Sequence, residues 1–133
     1  MMRSAKWVAI VAAALVSIAA GCAMTRPVLN VTDSPVITSK PNPTLDDVGK
    51  AILRGGARSG GWVMRQMKPG HMVGTLTTRT HTAVVDITYS VKSYSIKYKD
   101  STDLKYDGTN IHTNYNNWIE RLDRNIRVEL TAL

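Results

Sequence analysis

Cysteine is nearly missing from this chain of 133 residues; the single one is Cys22. One thiol excludes an internal disulfide framework and leaves no cysteine set for zinc. The three histidines, His71, His81 and His112, form no His-x-x-x-His pair. There is also no G-x-S-x-G nucleophile turn. GGARSGG, residues 55–61, lacks the lysine of a phosphate-cradling loop. Asp100, Asp103 and Asp107 lack the alternation of a calcium loop. The longest charge-free apolar run, Trp7 to Ala20, has 14 residues, and a bilayer span needs about 20. These absences assign no catalytic residue, metal or cofactor.

What is present begins at the amino terminus. Arg3 and Lys6 precede the apolar run, and small residues close it. That is the construction of a secretory signal peptide. Its end, Ala19-Ala20-Gly21-Cys22, resembles the lipobox of bacterial lipoproteins, with Ala19 where that family prefers leucine. The resemblance implies a signal peptide over 1–21, cleavage before Cys22, and acylation of that residue with palmitate-like chains. Gly21-x-Ala23 also satisfies an ordinary signal peptidase, which would cut after Ala23 and discard Cys22. A buried thiol on a terminal core helix is a third reading, and it needs a helix with no polar face.

The absence of Asp at position 23 points, by the same resemblance, to the outer membrane, at its periplasmic face, over the inner one. Of 17 basic residues, two fall in the leader; against 10 acidic ones the remainder leaves a net charge of about +5. In the cytosol such a charge would suggest nucleic acid. Export leaves lipid headgroups, wall glycans or acidic proteins as partners, and no nucleic acid.

Residues 22–43 read as the lipidated cysteine followed by a tether. Pro27, Pro35, Pro41 and Pro43 break helices and resist central strands. Fully extended, 21 such residues reach about 70 Å. Residues 44–133 then form one small α+β domain. Thr44 with Asp47 predicts a capping box, and Leu45, Val48, Ile52 and Leu53 share a helical face. Gly55-Gly56 and Gly60-Gly61 predict its end.

WVMRQM, HMVGTLTT, HTAVVDITY and SYSIKYK predict four strands. A two-residue turn at Arg79 and a loop at 90–93 set the register. Tyr89 then opposes Tyr94, Ile87 opposes Ile96, Val85 opposes Tyr98, and Asp86 opposes Lys97. Met72, Leu76, Ala83, Val85 and Ile87 fall on one apolar face; His71, Thr75, Asp86, Lys97 and Lys99 fall on the other. His71 is expected opposite Asp86 on the turn register, and a three-residue loop at 68–70 adds Trp62 and Met64 to the apolar face.

The cover is a last helix with Tyr115, Trp118, Ile119, Leu122, Ile126 and Leu130 on one side, capped at Asn114. Glu120–Arg124 and Asp123–Arg127 are expected as pairs on its outer side. The expected architecture is an α+β two-layer sandwich: helix, four-stranded antiparallel meander, helix.

Tyr106, His112, Asn114, Tyr115 and Trp118 gather aromatic and hydrogen-bonding groups on one loop and helix entry, a candidate site for a glycan or extended peptide. Taken whole, the chain resembles small lipoproteins of Gram-negative bacteria. KPG, HTAVVDITYS, YSIKY, YDG and IHTNYNNWI resemble one group of them. The resemblance implies an envelope location and carries over no catalytic residue. The expectation is a membrane-anchored, non-enzymatic binding or assembly module with an envelope protein or cell-wall glycan as partner; the alternative is a small wall-directed hydrolase or glycan-binding protein.

Overall fold

A computed structural model describes residues 24–133. The leader and Cys22 lie outside the described residues. In chain order the elements are β1 (Thr25–Pro27), β2 (Val31–Pro35), α1 (Leu45–Ala57), β3 (Val63–Lys68), β4 (His71–Thr78), β5 (His81–Tyr89), β6 (Ser93–Thr102), β7 (Asn110–His112) and α2 (Thr113–Thr131). The class is α+β. A five-stranded antiparallel sheet runs β2-β6-β5-β4-β3, and β1 pairs with β7 in a separate two-stranded sheet. Both helices pack on the apolar face of the larger sheet.

The meander follows from the alternation. Tyr89 opposes Tyr94, Ile87 opposes Ile96, Val85 opposes Tyr98 and Asp86 opposes Lys97, as the register required. Arg79 and Thr80 make the two-residue turn between Thr78 and His81, with Arg79 at φ 53°. Met64 opposes Gly74, and a bulge near the β3–β4 turn sets Lys68 against His71. Trp62 is accordingly buried and Met64 packs on the core. Gly70 closes that turn at φ 83°; a Cβ there would sit 2.9 Å from the Tyr89 carbonyl.

Residues 24–43 are not a tether. Thr25–Pro27 and Val31–Pro35 are strands, and β2 makes the sheet five-stranded rather than four-stranded. Proline density misleads here because Pro27 and Pro35 sit at strand ends, with β2 on an edge where a missing ladder N–H costs little. Apolar residues of this segment do the holding: Val28, Leu29, Val31 and Val36 pack against the core. Asn116 clamps the link, its amide donating to the Pro27 carbonyl and accepting from the Leu29 N–H, both at 3.0 Å.

In α1 the capping box forms as expected, Thr44 accepting from the Asp47 N–H and Asp47 from the Thr44 N–H. The helix does not stop at Gly55-Gly56 but runs to Ala57. Those glycines serve packing: a Cβ on Gly55 would lie 2.8 Å from the Ile126 Cα. Gly60 and Gly61, at φ 93° and 98°, turn the chain after the helix.

In α2, Tyr115, Ile119, Leu122, Ile126 and Leu130 are buried. Its N-cap is His112 rather than Asn114. Asp123 is not on the outer side; it is buried and accepts from Tyr94 Oη at 2.5 Å as well as from Arg127. Glu120 and Arg124 form no ion pair with each other.

Candidate functional site

The five expected site residues divide into separate roles. Tyr106 lies on the loop between β6 and β7 and stacks on Tyr98, with ring centres 4.1 Å apart. Tyr98 meets Tyr115 edge-on at 5.7 Å. Tyr115 is fully buried, its hydroxyl has no hydrogen-bond partner, and burial pushes its pKa up. It is a core residue and cannot touch a ligand from the surface.

His112 Nδ1 accepts from the Asn114 N–H at 3.1 Å. That bond caps α2 and requires Nδ1 to be unprotonated. The Asn114 side chain is exposed, and Trp118 is half-buried against the core. No hydrogen bond or ring contact among the described residues joins Trp118 to Tyr106 or His112. Sequence reasoning missed Tyr98, whose ring links Tyr106 to the core. Its place on the apolar face hid it, since parity alone does not show that a strand outlasts its cover.

The Tyr98–Tyr106 stack walls a shallow depression of about 630 Å³, with Lys99, Asp100, Asp103 and Lys105 around it. Tyr106 is 42% exposed. An exposed ring beside charged and hydroxyl groups is suited to the face of a sugar.

A larger groove of about 920 Å³ lies between the outer side of α2 and the β1–β2 segment, lined by Leu29, Val31, Glu120, Arg124, Val128 and Ala132. Its size falls in the range of ligand pockets. Leu29, Val31 and Val128 give it an apolar floor. Arg124 makes no ion pair among the described residues. Val31, in the edge strand β2, brings one sheet margin to the groove. Val128, apolar on a helix side otherwise polar, was the one sequence signal for it.

On the open sheet face, His71 Nε2 and Asp86 Oδ1 are 2.7 Å apart, and Lys99 Nζ is 3.5 Å from Asp86 Oδ2. His71 opposes Thr88 rather than Asp86, because the two-residue turn at Arg79 sets that register, and it reaches Asp86 diagonally. The expected Asp86–Lys97 opposition holds in the backbone, while the carboxylate engages His71 and Lys99 instead. Among the described residues no serine hydrogen-bonds to His71. His81 Nδ1 lies 2.7 Å from the Asp103 carbonyl. Nor is any group of three or more His, Cys, Asp or Glu placed among them to share a metal ion. No helix among them is long and apolar enough to cross a membrane.

No family model, curated protein or solved structure matches the chain.

Proposed function

We propose that this chain is a lipid-anchored module of the bacterial envelope, acylated at Cys22, that acts by binding rather than by catalysis. The observation that carries the reading is the groove along α2. It joins an apolar floor, a rim carrying Arg124 and Glu120, and Val31 of the edge strand β2. An extended apolar segment of an envelope protein would bury side chains on Val31 and Val128 and add main-chain bonds along the edge.

Three titratable side chains on or capping α2 are taken up by the fold. His112 caps α2, Asp123 takes Tyr94 and Arg127, and Glu129 takes Arg54 and Arg58. A photo-crosslinker at Val128 of the acylated chain in envelope membranes is expected to give a discrete protein adduct, lost in Val31→Lys. A crosslinker at Met67, on the opposite sheet edge, is expected to give none. Equal labelling at the two positions would sink the proposal.

The second reading, glycan binding, has its own observation in the exposed Tyr106 ring over Tyr98. Amide shifts confined to residues 98–106 on titration with wall glycan fragments would select it.

A further inference from the structure

The sheet pairing decides where an anchor must leave this domain. Thr25 opposes His112 and Pro27 opposes Asn110, antiparallel. Traced back toward the amino terminus, the chain therefore passes the first turn of α2. Met24, the first described residue, is 47% exposed. Cys22 is two residues further on, so its Cα lies at most about 7 Å from that of Met24. A bilayer's headgroup layer is about 5–7 Å deep on each side of the hydrocarbon. A chain acylated at Cys22 thus has a peptide link no longer than the layer it must cross. The extended tether that would have held the domain off the membrane is instead spent in β1 and β2.

The surface around this exit is marked by its residues. Met24 is exposed, and Asn114 is exposed in the first turn of α2. Half-buried Trp118 lies one turn later, on the same side of the helix as Asn114. The His112 N–H donates to the Leu104 carbonyl at 2.8 Å, which brings exposed Lys105 alongside. Thr80 Oγ1 donates to Asp103 at 2.8 Å, which brings the β4–β5 turn and Arg79 to the same end. Tyr106, next to Lys105, is turned onto Tyr98. Asp103 and Asp107 are also at this end, and the Asp107 carboxylate accepts from the Thr109 and Asn110 N–H groups. Tryptophan and long basic side chains suit a headgroup layer, where an apolar body and a polar tip are both satisfied.

We infer that the face bearing Met24, Arg79, Lys105, His112, Asn114 and Trp118 rests on the phospholipid headgroups. This rests on acylation of Cys22. The groove begins at Glu120, beyond the first turns of α2, and extends to Ala132 at the far end of that helix. Docking on the N-terminal end therefore leaves it open to the aqueous side. Lysine and arginine here are offset by nearby aspartates, so the short link and the amphipathic side chains hold the contact, with little dependence on salt.

The test uses the full acylated chain in nanodiscs of phosphatidylethanolamine and phosphatidylglycerol containing a lipid with a nitroxide headgroup. Mass spectrometry first reads the modification of Cys22. Amide relaxation enhancement at Lys105, His112 and Asn114 is expected to exceed that at Gly70 and Ser90, at the opposite end of the sheet, at least threefold. A flexible ten-residue Gly/Ser insertion between Ala23 and Met24 is expected to flatten the gradient at least threefold. Acylated protein with uniform enhancement, or with its maximum on another face, overturns the docking and leaves the anchor standing. A gradient unchanged by the insertion shows that the short link does not set the orientation and overturns the inference. An unmodified Cys22 overturns the anchor itself and, with it, this face.

Discussion

Gly55 shows how much one missing methyl can decide. Its helix partner comes so close that an added Cβ would meet Ile126 Cα at 2.8 Å and its N at 2.9 Å, both backbone atoms that cannot swing aside. Alanine favours a helix by about 1 kcal/mol over glycine, yet overpacking costs typically about 1–3 kcal/mol. Gly55→Ala is expected to lower stability on balance, read as an earlier midpoint in urea unfolding. Gly49 is the contrasting case, since its nearest neighbour is the Tyr89 hydroxyl, the far end of a side chain.

Tyr94 belongs to the same scale. Its hydroxyl donates to the buried Asp123 carboxylate, and burial, with that carboxylate beside it, pushes its pKa up. Hydrogen bonds to charged groups contribute about 1.5–3 kcal/mol, so Tyr94→Phe is expected to cost that order in the same measurement.

Among the elements, the two helices share a pH dependence. The guanidinium groups of Arg58 and Arg54, bonded at 2.7 and 2.9 Å, hold the Glu129 carboxyl below its usual 4.5 and tie α2 to α1. At the other end of α1, the Lys40 ammonium and the Thr44 N–H hold Asp47 at about 2, below its usual 3.8. A carboxylate with a depressed native pKa adds stability that is complete above its unfolded pKa and is lost as pH falls through the native one. The stability that these two carboxylates supply is expected to hold down to about pH 5 and to be lost between about 4 and 2. Glu129→Gln should lose part of that acid-side slope; an unchanged slope would show that the pairing is not coupled to folding.

The join of β1 and β2 rests on Asn116. Asn116→Ala removes two bonds to the Pro27–Leu29 link and is expected to raise amide exchange over residues 25–31 at least tenfold, with α1 unaffected.

For the whole molecule, the domain begins well before residue 44. A chain starting there would lose β1 and β2, leaving β6 as a bare edge and β7 without a partner. It would also uncover the core where Val28, Leu29, Val31 and Val36 pack. It is expected to unfold without a cooperative transition, whereas one starting at residue 24 should show a single sharp one; calorimetry separates the two.

Alternation along Met72–Leu76 and Ala83–Tyr89, with a two-residue turn at Arg79, determined the register of the meander, because a slip of one residue would have turned every apolar side chain outward. Thr44 with Asp47 determined where α1 starts, and the spacing from Tyr115 to Leu130 determined which side of α2 is buried, both local matters of hydrogen bonding and helical period. Only the tertiary structure decided the fate of Val28–Val36, of Gly55 and of Asp123. Proline, glycine and aspartate each follow a strong local rule, and here each is overruled by a partner distant in the chain: β6, Ile126 and Tyr94. The candidate site divides in the same way. His112 and Asn114 were legible as a helix entry, whereas the stack of Tyr106 on Tyr98 and the groove between Val31 and Val128 join residues that no local pattern connects. A contact of that kind is a property of the packed chain, since it exists only once the sheet has brought its two sides together.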